Sequence, residues 1–366
     1  MLTESFSNFI VNDHQTYWDE WNFYSTGNCL LESAIELSKQ FPTNETYVLC
    51  ALSKSGLPLA TVLSLILQKP LLIFALGEFF SPEGLPIINV VGADEFKFQS
   101  WYFVDSHIHS GQTALLAEAG IQYEFATTVK RCYVISDCMT EKAAINYSLE
   151  VIPLIDRETS WNELKKIVKD KYGKPESLLE QNEFWMYHDK YWLTSLSEDI
   201  GNTASNTILT HTVNIASDIR DIVLKDDDVQ PNSLYLNPDK FYSFIKSLTE
   251  KFEDIDIVIA GSVGGIPLAA AMCYSFSKKN VSTRFLFLGN HSMDYYADKL
   301  QNVKRAIIAD DVVSMGSLTA IIYNKLLRPK GIELAGIVCV AKTLFPSKGK
   351  YITEDAKGIP LYSAIT

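Results

Sequence analysis

Apolar and polar positions follow two rhythms along this chain. Short apolar runs, such as Tyr47 to Leu52 and Ile255 to Ala260, have the length and composition of strands buried in a parallel sheet. Between such runs, apolar residues recur at helical spacing. Asn237 caps one of these segments and Pro238 takes its first position. Phe241, Phe244, Ile245, Leu248 and Phe252 then make a single apolar face. A second helix is predicted from about Leu30 to Phe41, leading into the Tyr47 strand, and a third from Pro267 to Phe276, after the Ile255 strand. Helices alternating with apolar strands predict an α/β protein with two parallel sheets.

The rhythm repeats. Leu57-Pro58-Leu59-Ala60 returns as Ile266-Pro267-Leu268-Ala269, 209 positions on. Tyr102-Phe103-Val104-Asp105 is answered by Ile307-Ile308-Ala309-Asp310, 205 positions on. Two landmarks in one order at nearly one offset predict a tandem duplication. The expected division is an N-terminal domain over residues 1–158, a mainly helical insert and linker over 159–234, and a C-terminal domain over 235–366. Within the insert, Ser160 and Glu163 predict a capping box, with Trp161, Leu164, Ile167 and Val168 on the buried face of its helix. Lys225 to Asn232, with its run Asp226-Asp227-Asp228, predicts a solvated linker.

Composition narrows the partners. The 366 residues carry a net charge of −12, which argues against a general nucleic-acid binder. The N-terminus, Met1 to Ser5, lacks the basic and apolar blocks of a signal peptide, and the uncharged stretch Ser55 to Gln68 is too short to span a bilayer. Six cysteines without metal-ligand spacing read as buried, reduced thiols. A cytoplasmic protein without membrane association is expected.

The strongest chemical signal is Ala306-Ile307-Ile308-Ala309-Asp310-Asp311-Val312-Val313-Ser314-Met315-Gly316-Ser317-Leu318-Thr319. An apolar strand ends in two carboxylates, and a Ser/Gly turn then opens a helix. Backbone N–H groups at such a turn bind phosphate, and the neighbouring carboxylates accept hydrogen bonds from sugar hydroxyls. A phosphate subsite beside a diol subsite describes a cradle for ribose 5-phosphate. This stretch resembles the phosphoribosyl-pyrophosphate (PRPP) signature of type I phosphoribosyltransferases. Gly261-Ser262-Val263-Gly264-Gly265-Ile266-Pro267-Leu268-Ala269 resembles the pyrophosphate loop of the same family, closest to the orotate enzymes.

The resemblance implies a fold and a division of labour. Each half would be a Rossmann-like, parallel-sheet domain of the phosphoribosyltransferase type. Asp310 and Asp311 would hold the ribose hydroxyls, while Ser314, Met315, Gly316, Ser317 and Leu318 wrap the 5-phosphate. Ser262, Val263, Gly264 and Gly265 would face the pyrophosphate, with Mg²⁺ held mainly through PRPP rather than by protein ligands. A nucleobase or nucleotide would be the other ligand, and pyrophosphate would leave from C1 through an oxocarbenium-like transition state. Family members close a mobile loop over the site. Here its counterpart is Gly289 to Lys299, which lacks the basic motif of the orotate enzymes and offers His291 and Lys299 in its place. The two halves are expected to pair as an intramolecular pseudo-dimer, with a homo-oligomer or protein partner also open.

The first copy is degenerate. Asp105 persists, but Ser106 stands in the second acidic position. A second candidate site comprises Ser53, Lys54, Ser55 and Gly56 with Asp105, His109, Ser110, Gly111, Gln112 and Thr113. Asp105, His107 and His109 invite a metal reading, but no third close ligand is evident, and the alternative is a pair of loop histidines near a phosphate. Trp18, Trp21, Phe23 and Tyr24 precede the first repeat as a stacking hood over a base or as packing of the N-terminal segment. Ribose-phosphate pyrophosphokinases also carry two such folds, but their ATP-site motifs are not visible. The alternative to an enzyme is a regulatory PRPP- or nucleotide-binding protein, such as a bacterial phage-defence effector. The paired Asp310 and Asp311 favour the enzyme; the damaged first motif and the long insert favour the alternative.

Overall fold

A computed structural model of the chain describes residues 20–80, 86–89, 93–96, 99–109, 111–139, 141–145, 147–172, 208–215, 218–225, 228–288, 293–314, 316–343 and 351–365. The chain forms two compact units, Met1–Tyr187 with Tyr235–Asp239, and His188–Leu234 with Lys240–Thr366.

Strands in the first unit are β1 (Tyr47–Ala51), β2 (Leu71–Ile73), β3 (Ala75–Phe80), β4 (Pro86–Asn89), β5 (Ser100–Ile108), β6 (Val129–Asp137) and β7 (Glu150–Ile155). Strands β3 and β4 form an antiparallel hairpin of their own. The others make a sheet in the order β2-β1-β5-β6-β7, parallel at every pairing. Every residue of β1 is buried, as a central strand covered on both faces requires. Val48, Cys50, Phe103, Cys132 and Val134 from three neighbouring strands anchor its core.

The second unit contains β8 (Ile208–Asn214), the small hairpin β9 (Leu224–Lys225) and β10 (Asp228–Val229), then β11 (Ile257–Ala260), β12 (Arg284–Phe287), β13 (Arg305–Val313), β14 (Glu333–Lys342), β15 (Ile352–Glu354) and β16 (Ile359–Ile365). Its sheet runs β12-β11-β13-β14-β16-β8-β15, again parallel throughout. The helix Pro238–Thr249 buries Phe241, Phe244, Ile245 and Leu248, the face that its spacing predicts. Phe252 lies just beyond the helix and is also buried.

The two sheets agree in detail. Number the five strands that they share in chain order, and both read 2-1-3-4-5. Phe103 pairs with Cys132 as Ile308 pairs with Ile337, each 205 positions on. The register shifts once in each third-to-fourth pairing, at Trp101/Tyr102 and at Ala306/Ile307, again 205 positions apart.

Three expectations are corrected. The stretch read as a mainly helical insert is helical over Arg157–Tyr172, but Ile208–Asn214 is a strand of the second sheet, lying between β16 and β15. Its run Ile208-Leu209-Thr210-His211-Thr212-Val213 is rich in β-branched residues, which favour a pleated strand. Residues 173–207 lie outside those described. The expected linker carries β9 and β10, with Asp228 exposed beside the turn and Asp226 and Asp227 outside the described residues. Finally, the helix that Ser160 and Glu163 were expected to open begins at Arg157. Asp156 caps it, its Oδ1 accepting the Thr159 N–H at 2.8 Å. Ser160 is one turn inside and buried, its hydroxyl 2.8 Å from that of Ser136. Trp161 donates from its indole to the Met139 carbonyl at 3.1 Å, while the side chains of Leu164, Ile167 and Val168 lie outside the described set.

Candidate functional site

In a 2-1-3-4-5 sheet the chain leaves the first strand toward one edge and returns to build the other. Ligands bind where that direction switches, outside the carboxyl ends of the first and third strands. In the second unit these ends are Ala260 of β11 and Val313 of β13, and both sequence motifs lie there.

The loop after β11 turns through Ser262 to Gly264 into the helix Gly265–Ser277. Ser262 fixes the turn twice. Its Oγ accepts the Gly265 N–H at 3.1 Å and donates to Oδ1 of Asp310. A side chain at Gly265 would meet the Ala309 carbonyl, and one at Gly264 would meet the Asp311 carboxylate. The two motifs, separated by 48 residues at Ser262 and Asp310, therefore make one site.

Asp310 Oδ1 also accepts the Asp311 N–H at 3.0 Å, and Asp311 Oδ1 accepts that of Val312 at 2.9 Å. Burial raises the Asp310 carboxyl to about 7, with the Asp311 charge adding to the rise and the Ser262 hydrogen bond opposing it. Beyond β13, Gly316 takes a left-handed conformation at φ +71° and opens the helix Ser317–Ile321. Ser314, Ser317 and Leu318 are half-buried around it, and Val263 is exposed at 37%. Met315 lies outside the described residues, as does His291 of the expected mobile loop, whereas Lys299 ends the helix Met293–Lys299.

Sequence reasoning missed Lys342. Register sets it beside Val313, just before the turn that leads to Gly316. It is 6% exposed, and its Nζ donates to Thr212 Oγ1 on β8 at 2.5 Å. A lysine ending the run Val338 to Ala341 was the available signal, because a buried lysine needs a reason.

The first unit repeats the plan with different chemistry. Ser53 Oγ accepts the Gly56 N–H at 3.1 Å and donates to Asp105 Oδ1 at 2.7 Å, matching Ser262 bond for bond. Ser55 adds a donor at 3.0 Å, and the Ser106 N–H another at 2.7 Å. Burial raises Asp105 to about 6 against these bonds. Gly111, at φ +72°, matches Gly316, and the Tyr147 ring lies 2.6 Å from where its Cβ would be. Lys54, Gln112 and Thr113 are exposed and Ser110 is outside the described residues.

Burial lowers His107 to about 4, with His109 adding to the shift, and burial also lowers His109. Neutral imidazoles supply no charge to a phosphate. Among the described residues no group of three or more His, Cys, Asp or Glu side chains gathers as a metal site. Trp21, Phe23 and Tyr24 are buried rather than arrayed as an open stacking surface; Trp18 is outside the described residues. All six cysteines are buried free thiols, and no described helix is long and apolar enough to cross a membrane.

Parallel sheets with polar loops at the switch point define a doubly wound α/β protein. Within that class the chain resembles the phosphoribosyltransferases in sequence. It is 26% identical over 126 residues to a hypoxanthine/guanine phosphoribosyltransferase of Methanocaldococcus sp. (strain FS406-22), a match covering 31% of this chain and 62% of the relative. The chain thus spans about three fifths of that relative's length. Among solved structures, the orotate phosphoribosyltransferase of Aeropyrum pernix matches at 18% identity and TM-score 0.35, over 45% of this chain and 99% of its own. The adenine enzyme of Trypanosoma brucei matches at 15% and 0.34, over 43% and 80%. No family model matches the chain.

Proposed function

We propose that the second unit binds PRPP with Mg²⁺ and transfers its phosphoribosyl group to a nucleobase or related acceptor, releasing pyrophosphate. The observation that carries this reading is the junction of the two motifs, in which Ser262 holds Asp310 while Asp311 lies against Gly264. It unites three recognition elements. Asp310 and Asp311 accept from the ribose hydroxyls. The turn from Ser314 to Leu318, with its left-handed Gly316, presents backbone donors to the 5-phosphate. The loop from Ser262 to Gly265 presents the start of a 13-residue helix to the pyrophosphate.

The residues fit a magnesium-bearing ligand. Two adjacent carboxylates are hard oxygen donors, and burial has raised the proton affinity of Asp310, so a nearby cation would stabilise its ionised form. Asp310 and Asp311 would sit beside an ion that is held mainly through the phosphates of PRPP. When bound, the ion neutralises charge on the departing pyrophosphate. The chain's own work is to fix the ribose and phosphates in line with the acceptor, which calls for no protein nucleophile. The matched strand order, register and loop bonds support a duplication, with the transfer site in the second copy.

The test is pyrophosphate release from Mg²⁺–PRPP by the full chain, with hypoxanthine, guanine, adenine and orotate as acceptors. Base-dependent release that disappears in Asp310→Ala/Asp311→Ala is expected. Release independent of every base, or untouched by that variant, would refute the reading.

A further inference from the structure

The two sites differ most in what fills the space between their loops. In the second unit the Asp311 carboxylate packs over Gly264. In the first unit Ser106 replaces Asp311 and Ser55 replaces Gly264, so two short hydroxyls leave that space open. Tyr24 enters it. The residue comes from the helix Glu20–Tyr24, is 1% exposed, and donates from its phenol to the Ser55 carbonyl at 2.8 Å. The phenol also lies within hydrogen-bond reach of Ser106 and beside the Asp105 carboxylate. Trp21 and Phe23 hold the ring edge-on, each with its centroid 6.0 Å away. The helix thus places an O–H between the first-strand loop and the end of the third strand, where the second unit is read as receiving a sugar diol.

The rest of the cradle is retained around this side chain. Ser53 and Ser55 converge on Asp105, Gly56 keeps the close approach to the Val104 carbonyl, and Gly111 keeps its left-handed turn.

We propose that Tyr24 is a built-in plug: it takes the place of a ligand hydroxyl and closes the first site to phosphorylated pentoses while the N-terminal helix is docked. The ligand class rests on the PRPP reading of the second unit. Removing the phenol leaves one carboxylate and two hydroxyls for a sugar diol, a weaker site than the second.

Two measurements on the full chain test the plug, with ribose 5-phosphate as the probe. In an Asp310→Asn/Asp311→Asn background, which disables the second site, calorimetry should detect no binding while Tyr24 is present. Adding Tyr24→Ala should create one site per chain, with at least a tenfold gain in affinity. A Tyr24→Ala chain with native circular dichroism that binds nothing would overturn the proposal, as would binding with Tyr24 intact. Hydrogen exchange in the unmodified chain supplies an answer that needs no variant. Ribose 5-phosphate should protect the turn from Ser314 to Leu318, the proposed 5-phosphate cradle, and leave the matching turn around Gly111 unchanged, and protection of the latter would again overturn the plug. Failure to protect the turn in the second unit would count against the transferase reading, and the Tyr24→Ala titration would still decide the plug.

Discussion

At Asp310, burial and function pull in opposite directions. Burial raises its carboxyl from the ordinary 3.8 to about 7, so the native state binds this proton more tightly than the unfolded chain does. The sign follows: the Asp310 contribution to the stability of the unliganded protein is lost as pH rises from about 4 to about 7 and changes no further above. Asp310→Asn should flatten that fall, which urea midpoints at about pH 5 and about pH 8 would reveal. Equal declines in the two proteins would contradict the assignment. The neighbouring glycines separate folding from binding. At Gly265 a Cβ meets the Ala309 backbone carbonyl, which has nowhere to go. Gly265→Ala is therefore expected to cost about 3 kcal/mol of stability. At Gly264 it meets the end of the Asp311 side chain, which can swing away. Gly264→Ala should keep the fold to within about 1 kcal/mol and lose at least tenfold in PRPP affinity. Similar melting curves for the two variants would count against this distinction. Asp310 and Ser262 were legible in the sequence because each sits in a local strand-turn-helix motif. Tyr24 and Lys342 were not: one acts through a partner 31 residues away, the other through strand register and a partner 130 away.

Elements written in continuous local pattern were readable, and those that depend on distant partners were not. The helix Pro238–Thr249 carries its own cap, its proline and its apolar stripe, so its face followed from spacing alone. Strand β8 carries only a short alternation after an unpatterned stretch, and its identity comes from β16 and β15, far along the chain. The alternation is sharp once seen, with Thr210 fully buried and Leu209 50% exposed. Thr210→Asp should cost the second unit about 3 kcal/mol, because it buries an unpaired charge, while Leu209→Asp should cost no more than about 0.5 kcal/mol. Equal effects in chemical denaturation would mean that the segment is not a strand of this sheet. The cap shows the same limit at smaller scale. Ser160 and Glu163 satisfied the pattern of a capping box, yet Asp156, one turn earlier, receives the Thr159 N–H. Its carboxylate follows directly on β7, so where that strand ends decides which polar residue becomes the cap.

At the scale of the molecule, one plan is executed twice with different side chains at the points of contact. Strand order, register, bulge position and the serine-to-aspartate bond repeat, while Asp311 gives way to Ser106 and Lys342 to Asp137. Two landmarks in the sequence were enough to reveal the repetition, because glycine, proline and aspartate at a turn are constrained by backbone geometry. They could not show what fills the gap in the first copy, because Tyr24 lies outside the paired motifs. Nor does net charge decide the ligand: on the proposed reading a chain of −12 holds an anion through backbone donors and hydroxyls. The most direct test is calorimetric titration of the full chain with Mg²⁺–PRPP, beside the Asp310→Ala/Asp311→Ala variant. One site per chain is expected in the unmodified protein, with a loss of at least tenfold in affinity in the variant. An unmodified chain that binds no PRPP, or a variant that binds it equally well, would contradict the assignment of this site.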